Sequence, residues 1–408
     1  MENIKIDPQN LYRLPWSMAD NAISWLEPTS ACNLACDGCY RGNHPDSHKS
    51  LQEIEHEIRI FQKLRNTDGV SIAGGEPLLH PDIIEIVKMI SDSGLKPIIN
   101  TNGVALTKEL LTGLKKAGVL GFTFHIDSKQ GRPGWKDKNE LEHNDLRLKY
   151  AEMLAEEGGI FCAFNSTVYE DTLPFTNGMI EWAGKHLDIV QVMVFILYRA
   201  AVPKLPFDWY AGGEKIELDC LQYAEENEKK VDLKSTELLA KIREKYPDFT
   251  PCAFLNGTEK PDSYKWLLSG RLGYKDKVLG YAGPKHMEIM QTFHHLTKGH
   301  YLAYCKPLYN HMGRSMLLLS SIDPMIKTIA GQYLKSVMKN PGRIFKKLYY
   351  QSIMIIQPVD FMDNGAHNMC DSCPDMTVWN DQLVWSCRLE ELKQFGCWIR
   401  SVPRCGQA

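Results

Sequence analysis

The chain lacks a long apolar run. No stretch of about 18 consecutive apolar residues occurs, which is what a helix needs to cross a bilayer. Its first residues also lack a charged segment leading into a short apolar core, the pattern of a secretory signal. A cytoplasmic location is expected from both absences. An excess of positive charge is missing too: 47 Lys and Arg stand against 50 Asp and Glu, a formal charge of −3 with a pI near 6.5. No overall basic field is there to attract nucleic acid, so no such partner is expected.

Cysteine, by contrast, is plentiful and clustered. Twelve cysteines in a reducing compartment read as metal ligands or buried thiols rather than disulfides. Three of them, Cys32, Cys36 and Cys39, stand at CxxxCxxC spacing just after an apolar run at 23–26 that reads as a strand. Three thiolates on one tight loop suit a cubane iron–sulfur cluster. A [4Fe–4S] cluster normally takes four cysteines, so three leave one iron open to another ligand. On the residues alone, half a zinc site or a set of buried thiols stays open as well.

With this loop the chain resembles the radical S-adenosylmethionine (radical SAM) superfamily. The resemblance implies a [4Fe–4S] cluster whose open iron chelates the amino and carboxylate groups of SAM. It also implies a reductant such as flavodoxin or ferredoxin. One electron passed to the sulfonium would give methionine and a 5′-deoxyadenosyl radical, so the cofactor carries the hard chemistry.

At 408 residues the chain is long enough for two or three domains, or for one barrel with an appendage. Residues 1–20 read as a Pro-broken arm in which nothing resembles a leader-peptide recognition domain. Over 51–64, apolar residues at Leu51, Ile54, Ile58, Phe61 and Leu64 have helical spacing. A short strand at 70–73 runs into Gly74-Gly75-Glu76-Pro77. Two glycines let backbone approach a ligand closely, and a carboxylate can receive an ammonium. The tetrapeptide resembles the superfamily motif that binds the SAM amino group.

Alternation then continues, with helices expected at 81–91, 108–117, 141–156 and 175–186 and strands at 97–100, 120–126, 160–168 and 189–197. Strand and helix taking turns predicts a parallel sheet. The fold class expected is α/β, and six such units over 21–202 resemble the partial (β/α)6 TIM-like barrel of radical SAM enzymes, whose ligands gather at strand C-termini. The resemblance implies cofactor contacts from Tyr40, Gly74, Gly75, Glu76, Asn102, His125, Asp127 and Asn165. Asn and Asp also cap turns. The chain departs from the family pattern at Gly38, where an aromatic often precedes the third cysteine, and at His125, where serine is frequent.

Past Arg199 the rhythm stops. Residues 203–360 are expected to form a mostly helical substrate or linker region, with a connector at 203–213 and a charged helix at 214–245. His286, His294, His295, His300 and His311 gather around Cys305, either as satisfied polar residues or as substrate and proton-transfer groups. His294 and His295 are adjacent and so point differently, which argues against a metal shared by the two. Cys220 and Cys252 read as buried thiols. Over 335–350 basic residues alternate with apolar ones, a pattern of an amphipathic domain helix or of a membrane-surface helix. Pro341-Gly342 interrupts it.

Finally, Cys370-Asp371-Ser372-Cys373 is followed by a hairpin pattern, 377–379 and 383–386 around Asn380-Asp381, and then by Cys387. A hairpin returns a distant thiol to a CxxC knuckle. This CxxCx13C pattern in 361–408 is similar to the twitch or SPASM extensions of radical SAM enzymes, which implies an auxiliary [4Fe–4S] cluster. Its fourth ligand would be Cys305, Cys397, Cys405 or substrate. Half of a zinc ribbon is the alternative.

The expected function is hydrogen abstraction from an organic substrate. The apolar and basic middle favours a small molecule or lipid, with peripheral membrane contact left open. Peptide modification fits less well with the arm at 1–20. A non-catalytic iron–sulfur protein for electron transfer or scaffolding would leave Gly-Gly-Glu-Pro without a purpose.

Overall fold

The computed structural model describes residues 6–199, 206–218, 221, 232–275, 277–310 and 313–404. Cys220, His311 and Cys405 lie outside these residues. After β1 (Tyr12–Arg13), the first long strand, β2 (Ile23–Thr29), leads through the cysteine loop into α1 (Leu51–Leu64). Ser50 and Glu53 start that helix by capping each other reciprocally. Its Ile54, Ile58 and Phe61 face inward, as their spacing predicts. Then follow β3 (Gly69–Gly74), α2 (Ile83–Asp92), β4 (Lys96–Thr101), α3 (Lys108–Lys116), β5 (Gly121–His125), α4 (His143–Glu157), β6 (Phe161–Val168), α5 (Thr176–Gly184) and β7 (Val192–Leu197).

Strands β2 to β7 lie side by side in chain order, every pair parallel. Because successive side chains on a strand alternate in direction, each strand serves two layers. Ile72, Ile99, Phe122, Phe124, Phe164, Met193 and Phe195 join the buried core with residues of the surrounding helices. Their neighbours turn to the inside of the curve.

The region 203–360 departs from the helical expectation. Part of the connector is β8 (Phe207–Ala211), which pairs with β9 (Glu214–Ile216) and, antiparallel, with the last strand of the chain, at 400–403. In the expected helix at 214–245, the described helical part is α6 (Ser235–Lys245). Strands β10 (Ala253–Leu255), β11 (Trp266–Tyr274) and β12 (Lys277–Ala282) follow, then helices α7 (Pro284–Lys298), α8 (Pro307–Asn310), α9 (Gly313–Met316) and α10 (Pro324–Lys339). The basic run at 335–350 is not one helix. It ends α10, makes a short 3-10 turn at Pro341–Phe345 and opens β13 (Tyr349–Ile356). β13 adds parallel to β7, β11 adds antiparallel to β13, and β10 and β1 finish that edge of an 11-stranded sheet. Partners so distant in sequence leave no local signal.

In the last part, β14 (Asp360–Phe361) pairs with β15 (His367–Asn368), and the expected hairpin is β16 (Met376–Trp379) with β17 (Gln382–Trp385). Asn380 and Asp381 take φ of 48° and 60°, the positive values a two-residue type I′ turn requires. α11 (Leu389–Phe395) and β18 (Arg400–Pro403) complete the described chain. No helix among the described residues is long and apolar enough to cross a membrane.

β1 and β2 stand at opposite edges of the main sheet, and the 370–375 knuckle bonds to both sides. Arg13 on β1 pairs with Asp371 at 2.5 Å and donates to the Ser372 hydroxyl at 3.2 Å. On the other side, Asn21 donates to Ser372 O (3.1 Å), while Arg65 donates to Cys373 O (2.6 Å), Pro374 O (2.9 Å) and Ile23 O (2.6 Å).

Candidate functional site

The first three cysteines sit on the loop leaving the C-terminal end of β2. Asn43 fixes the start of that loop: its carbonyl accepts the Cys32 N–H at 2.9 Å and its amide donates to Cys32 O at 3.0 Å. Cys39 N–H closes a turn onto Cys36 O at 3.3 Å. Gly38, at φ +69°, explains one departure from the family pattern. A Cβ there would stand 2.3 Å from Tyr198 Cε2, so an aromatic has no room. Burial, and then the charges of Glu76 and Cys39, push the Cys32 thiol up; burial, Asp127 and the other two cysteines push up Cys36. Three cysteines on one loop, two of them in a setting that disfavours the bare thiolate, fit a bound cationic cluster, which reverses that preference.

Gly74 and Gly75 hold β3 against the base of this loop. Gly75 N–H donates to Thr29 O (2.9 Å) and Glu76 N–H to Ala31 O (2.7 Å). A Cβ on Gly75 would stand 2.3 Å from Ala31 O. The Glu76 side chain differs from its expected role as an open ammonium receptor. Fully buried, it accepts from Leu78 N–H (3.0 Å), the Thr101 hydroxyl (2.6 Å) and Asn102 N–H (2.7 Å), so it ties the ends of β3 and β4 together. Burial pushes its carboxyl up, and these bonds oppose the shift.

Asn102 bridges to the loop, its amide donating to Asn33 Oδ1 at 2.7 Å. His125 Nε2 lies 3.0 Å from the Asp127 carboxylate and 3.0 Å from Thr167 Oγ1. Burial works against the Asp127 carboxylate, but His125 and the Lys129 and Thr167 N–H groups hold it below the usual range. Asn165 stands opposite His125 in register and faces the interior. Tyr40 departs from this group and turns toward Cys387 and Arg41.

Two residues were not singled out in the sequence. Arg132, buried on the loop after β5, donates to Asn102 O (2.8 Å) and Gln130 Oε1 (3.0 Å) and acts electrostatically on Cys36, Asp127 and Glu76. Arg41 is buried against Glu27 and donates to both the carbonyl and the hydroxyl of Ser386. It thereby bolts the first cysteine loop to the residue preceding Cys387. A lone arginine in a loop carries no pattern; the glycines flanking Arg132 were the sole hint.

Cys370, Cys373 and Cys387 form a second group. The Cys373 thiol is hydrogen-bonded with the free thiol of Cys370 and is pushed well up, while burial, then Cys370, pushes Cys387 up to about 12. Cys305 lines the same cavity as these three, its thiol pushed up by burial, with Lys96 and Asp68 the charges that act on it. Cys397 is partly buried in the turn after α11. His286, His294 and His300 line the same cavity as Cys305, while the adjacent His295 points elsewhere. His295 pairs with Asp20 at 2.8 Å, while His294 bonds His300 O at 2.8 Å. His294, His300 and Asp68 place ligand-capable atoms within 4.8 Å of one another, but Lys96 already stands 2.6 Å from the Asp68 carboxylate. His286 is buried beside Tyr350.

A cavity of about 870 Å³ fills the inside of the curve. Its wall shows the period-2 alternation of the strands: Ile23 and Trp25, Ala163 and Asn165, Val192, Val194 and Ile196, Trp266 and Leu268, Ser352, Met354 and Ile356. Small side chains at Ser71, Thr123 and Ala163 leave the space open. Cys370, Cys373 and Cys387 lie in its wall, Tyr40 at the first cysteine loop, and α7 along the end near Asp68 and Lys96.

A parallel half-barrel with a loop of three cysteines at the C-terminal end of its first strand is the partial α/β barrel that the strand and helix rhythm predicts. Residues 26–170 match the family model of the radical SAM superfamily, and this part of the chain is a radical SAM domain. That family implies a [4Fe–4S] cluster and SAM. The chain is 26% identical over 162 residues to the AdoMet-dependent heme synthase of Oleidesulfovibrio alaskensis, covering 39% of this chain and 41% of that protein. It is 41% identical over 108 residues to the GTP 3',8-cyclase of Aquifex aeolicus, covering 24% of this chain and 33% of that one. The matched segment thus spans less than half the length of these relatives. Among solved structures, Streptococcus suis SuiB bound to S-adenosylmethionine aligns at TM-score 0.39 and 16% identity, over 56% of this chain and 48% of that chain.

Proposed function

We propose that the chain is a radical SAM enzyme that takes a hydrogen atom from an apolar organic substrate held inside the barrel, with an auxiliary iron–sulfur cluster in the wall. The observation that carries this reading is the cavity of about 870 Å³, lined by tryptophans and aliphatic side chains, with Cys370, Cys373 and Cys387 in its wall and Tyr40 of the first cysteine loop beside them. When bound, the first cluster would supply the electron that splits SAM into methionine and the 5′-deoxyadenosyl radical.

The rest of the reading concerns the chain's own residues. Cys32, Cys36 and Cys39 would hold the catalytic cluster, and Cys370, Cys373 and Cys387 the auxiliary one. Glu76, hydrogen-bonded by three donors, fixes the floor on which SAM would lie, with Gly74, Gly75, Asn102, His125, Asp127 and Asn165 around it. Arg132 is the nearby cation that suits a cofactor carboxylate. Tyr40 and Arg41 join the two thiol groups mechanically. Trp25, Trp266 and Met354 exclude water from the substrate space, as radical chemistry requires. A flavodoxin- or ferredoxin-type protein would deliver electrons, and a lipid-sized molecule suits the cavity better than a polar metabolite.

Anaerobically reconstituted protein given dithionite and SAM should release 5′-deoxyadenosine, and Cys36→Ala should not. Iron should count to about eight per chain, two cubanes of four. No 5′-deoxyadenosine from fully loaded protein would replace this reading with a non-catalytic iron–sulfur protein. About four irons would remove the auxiliary cluster.

A further inference from the structure

Sixteen large apolar side chains are exposed among the described residues, and ten of them fall within 293–345. They include Phe293, Leu296, Leu318, Leu334, Met338 and Phe345, with Leu318 80% and Phe345 86% exposed. Apolar exposure on this scale is uncommon on a surface that meets only water. The same stretch is strongly basic: residues 284–348 hold ten Lys and Arg against Glu288 and Asp323. That is +8 in a chain whose total is −3, which leaves −11 for everything else. Asp323 is buried, so one acid remains on the outside.

The elements of 313–345 pack together on one edge of the sheet. Ile326 and Ile329 of α10 pack on Leu272 and Ala282 of the sheet, with Met316, Leu317 and Tyr350 beside them. The Asp323 carboxylate caps α10 through Met325 and Ile326 and also accepts the His286 N–H of α7 at 2.9 Å, tying the two helix starts together. On the outward side of α10, Lys327, Gly331, Leu334 and Met338 follow at i, i+4, i+7 and i+11, a single stripe. The cavity reaches the surface in this stretch, because the exposed Phe293 and Tyr309, together with Lys298 and Lys306, belong to its lining.

We propose that this face docks on an anionic lipid bilayer, its exposed apolar side chains entering the interface and its Lys and Arg meeting the lipid phosphates. Apolar side chains interleaved with basic ones, around few acids, are the chemistry of a monotopic membrane surface. A second copy of the chain would bring +8 against +8, and a purely polyanionic partner would leave ten apolar side chains without contact. Docking places the cavity mouth against the acyl region, from which an apolar substrate loads; that last clause rests on the function proposed above.

The test is co-sedimentation of the full-length reconstituted protein with vesicles of equal parts phosphatidylcholine and phosphatidylglycerol, beside vesicles of phosphatidylcholine alone. Binding to the anionic vesicles should exceed binding to the neutral ones by about tenfold or more and fall as salt is raised. Leu318→Ser with Phe345→Ser, and separately Lys335→Glu with Lys339→Glu, should each weaken it by about tenfold while 5′-deoxyadenosine release without substrate stays unchanged. Circular dichroism of each double variant checks that it is folded. Equal sedimentation with and without vesicles, binding that both folded variants retain, a dimer that depends on Leu318 and Phe345, or capture by heparin without vesicle binding would each overturn the proposal. Vesicle binding needs no SAM cleavage, so docking and the radical reaction fail independently.

Discussion

Replacing Arg65 with methionine isolates the bond between barrel and knuckle. The guanidinium is buried and donates to four main-chain carbonyls: Met18 O at 3.0 Å, Ile23 O at 2.6 Å, Pro374 O at 2.9 Å and Cys373 O at 2.6 Å. Two belong to the arm and β2, two to the knuckle. Hydrogen bonds from a charged donor are worth about 1.5–3 kcal/mol each. Losses within one network do not add, and some of the freed carbonyls regain water. The expected cost is therefore about 3–5 kcal/mol, below the sum of four such bonds. Against a typical stability of about 5–15 kcal/mol, that lowers the melting temperature by several degrees. Arg65→Lys keeps the charge but presents a compact ammonium where a planar fork spans four acceptors, so it should fall between methionine and wild type. The second assay is iron. Under the two-cluster reading, Arg65→Met frees Cys373 and leaves the Cys32 loop untouched, so iron should fall from about eight toward about four per chain. A variant that keeps both its melting temperature and its iron would refute the reasoning; one that loses all iron would show that Arg65 supports the whole barrel.

Three further outcomes follow from other contacts. Gly75→Ala should cost about 1–3 kcal/mol, as overpacking does, and abolish 5′-deoxyadenosine release, because the new Cβ meets main-chain atoms of Ser30 and Ala31 at 2.3–2.6 Å that can yield only by moving the cluster loop; activity near wild type would count against the packing argument. Arg41→Met should destabilise by about 3–5 kcal/mol in urea titrations by leaving Glu27 buried and unpaired, and adding Glu27→Leu should recover part of the loss; no recovery would place the cost in the Ser386 bonds. His286 is held down to about 4 by burial, despite the nearby Asp323 charge, and its ring lies beside Tyr350. Below pH 6.5 the unfolded chain takes up a proton that the folded chain refuses, so this contribution is complete above about pH 6.5 and is lost as pH falls toward 4. It amounts to about 2 kcal/mol by pH 5. Urea midpoints at pH 7 and pH 5 should therefore converge more closely in His286→Leu than in wild type; an equal drop in both would remove His286 from the account.

The parallel half-barrel was legible because each unit carries its own signal. Helix α1 shows its buried stripe at three- and four-residue spacing, and strands such as β7 are apolar throughout because both faces are covered. The hairpin between Cys373 and Cys387 was legible through Asn380-Asp381. The strands of 203–360 were not, because their partners lie far off in sequence: β8 pairs with β18 some 190 residues later, and β1 with β10 at Tyr12↔Ala253. Propensity sees composition, and Phe207–Ala211 reads like a loop without Arg400–Pro403 beside it. At the site, the cysteine spacings were readable, whereas Arg132 and Arg41 do their work through position alone. At Glu76 the tetrapeptide is visible in the sequence, whereas the three bonds that hold its side chain on Leu78, Thr101 and Asn102 are not.

The position of the second thiol group ties the two halves of the molecule into one argument. No strand pairing joins β1 to β2. What spans them is a knuckle held by Arg13 and Asp371 on one side and by Asn21 and Arg65 on the other. A metal cluster on Cys370, Cys373 and Cys387 would cross-link that knuckle to Ser386 and hence, through Arg41, to the loop of the first cluster. Whatever electrons pass through it, such a cluster would fill the cavity wall at the end away from the mouth near Phe293 and Tyr309. A radical reaction needs a dry space, and on that side these three cysteines share the wall with Tyr40, Met369, Asp375 and Ser386.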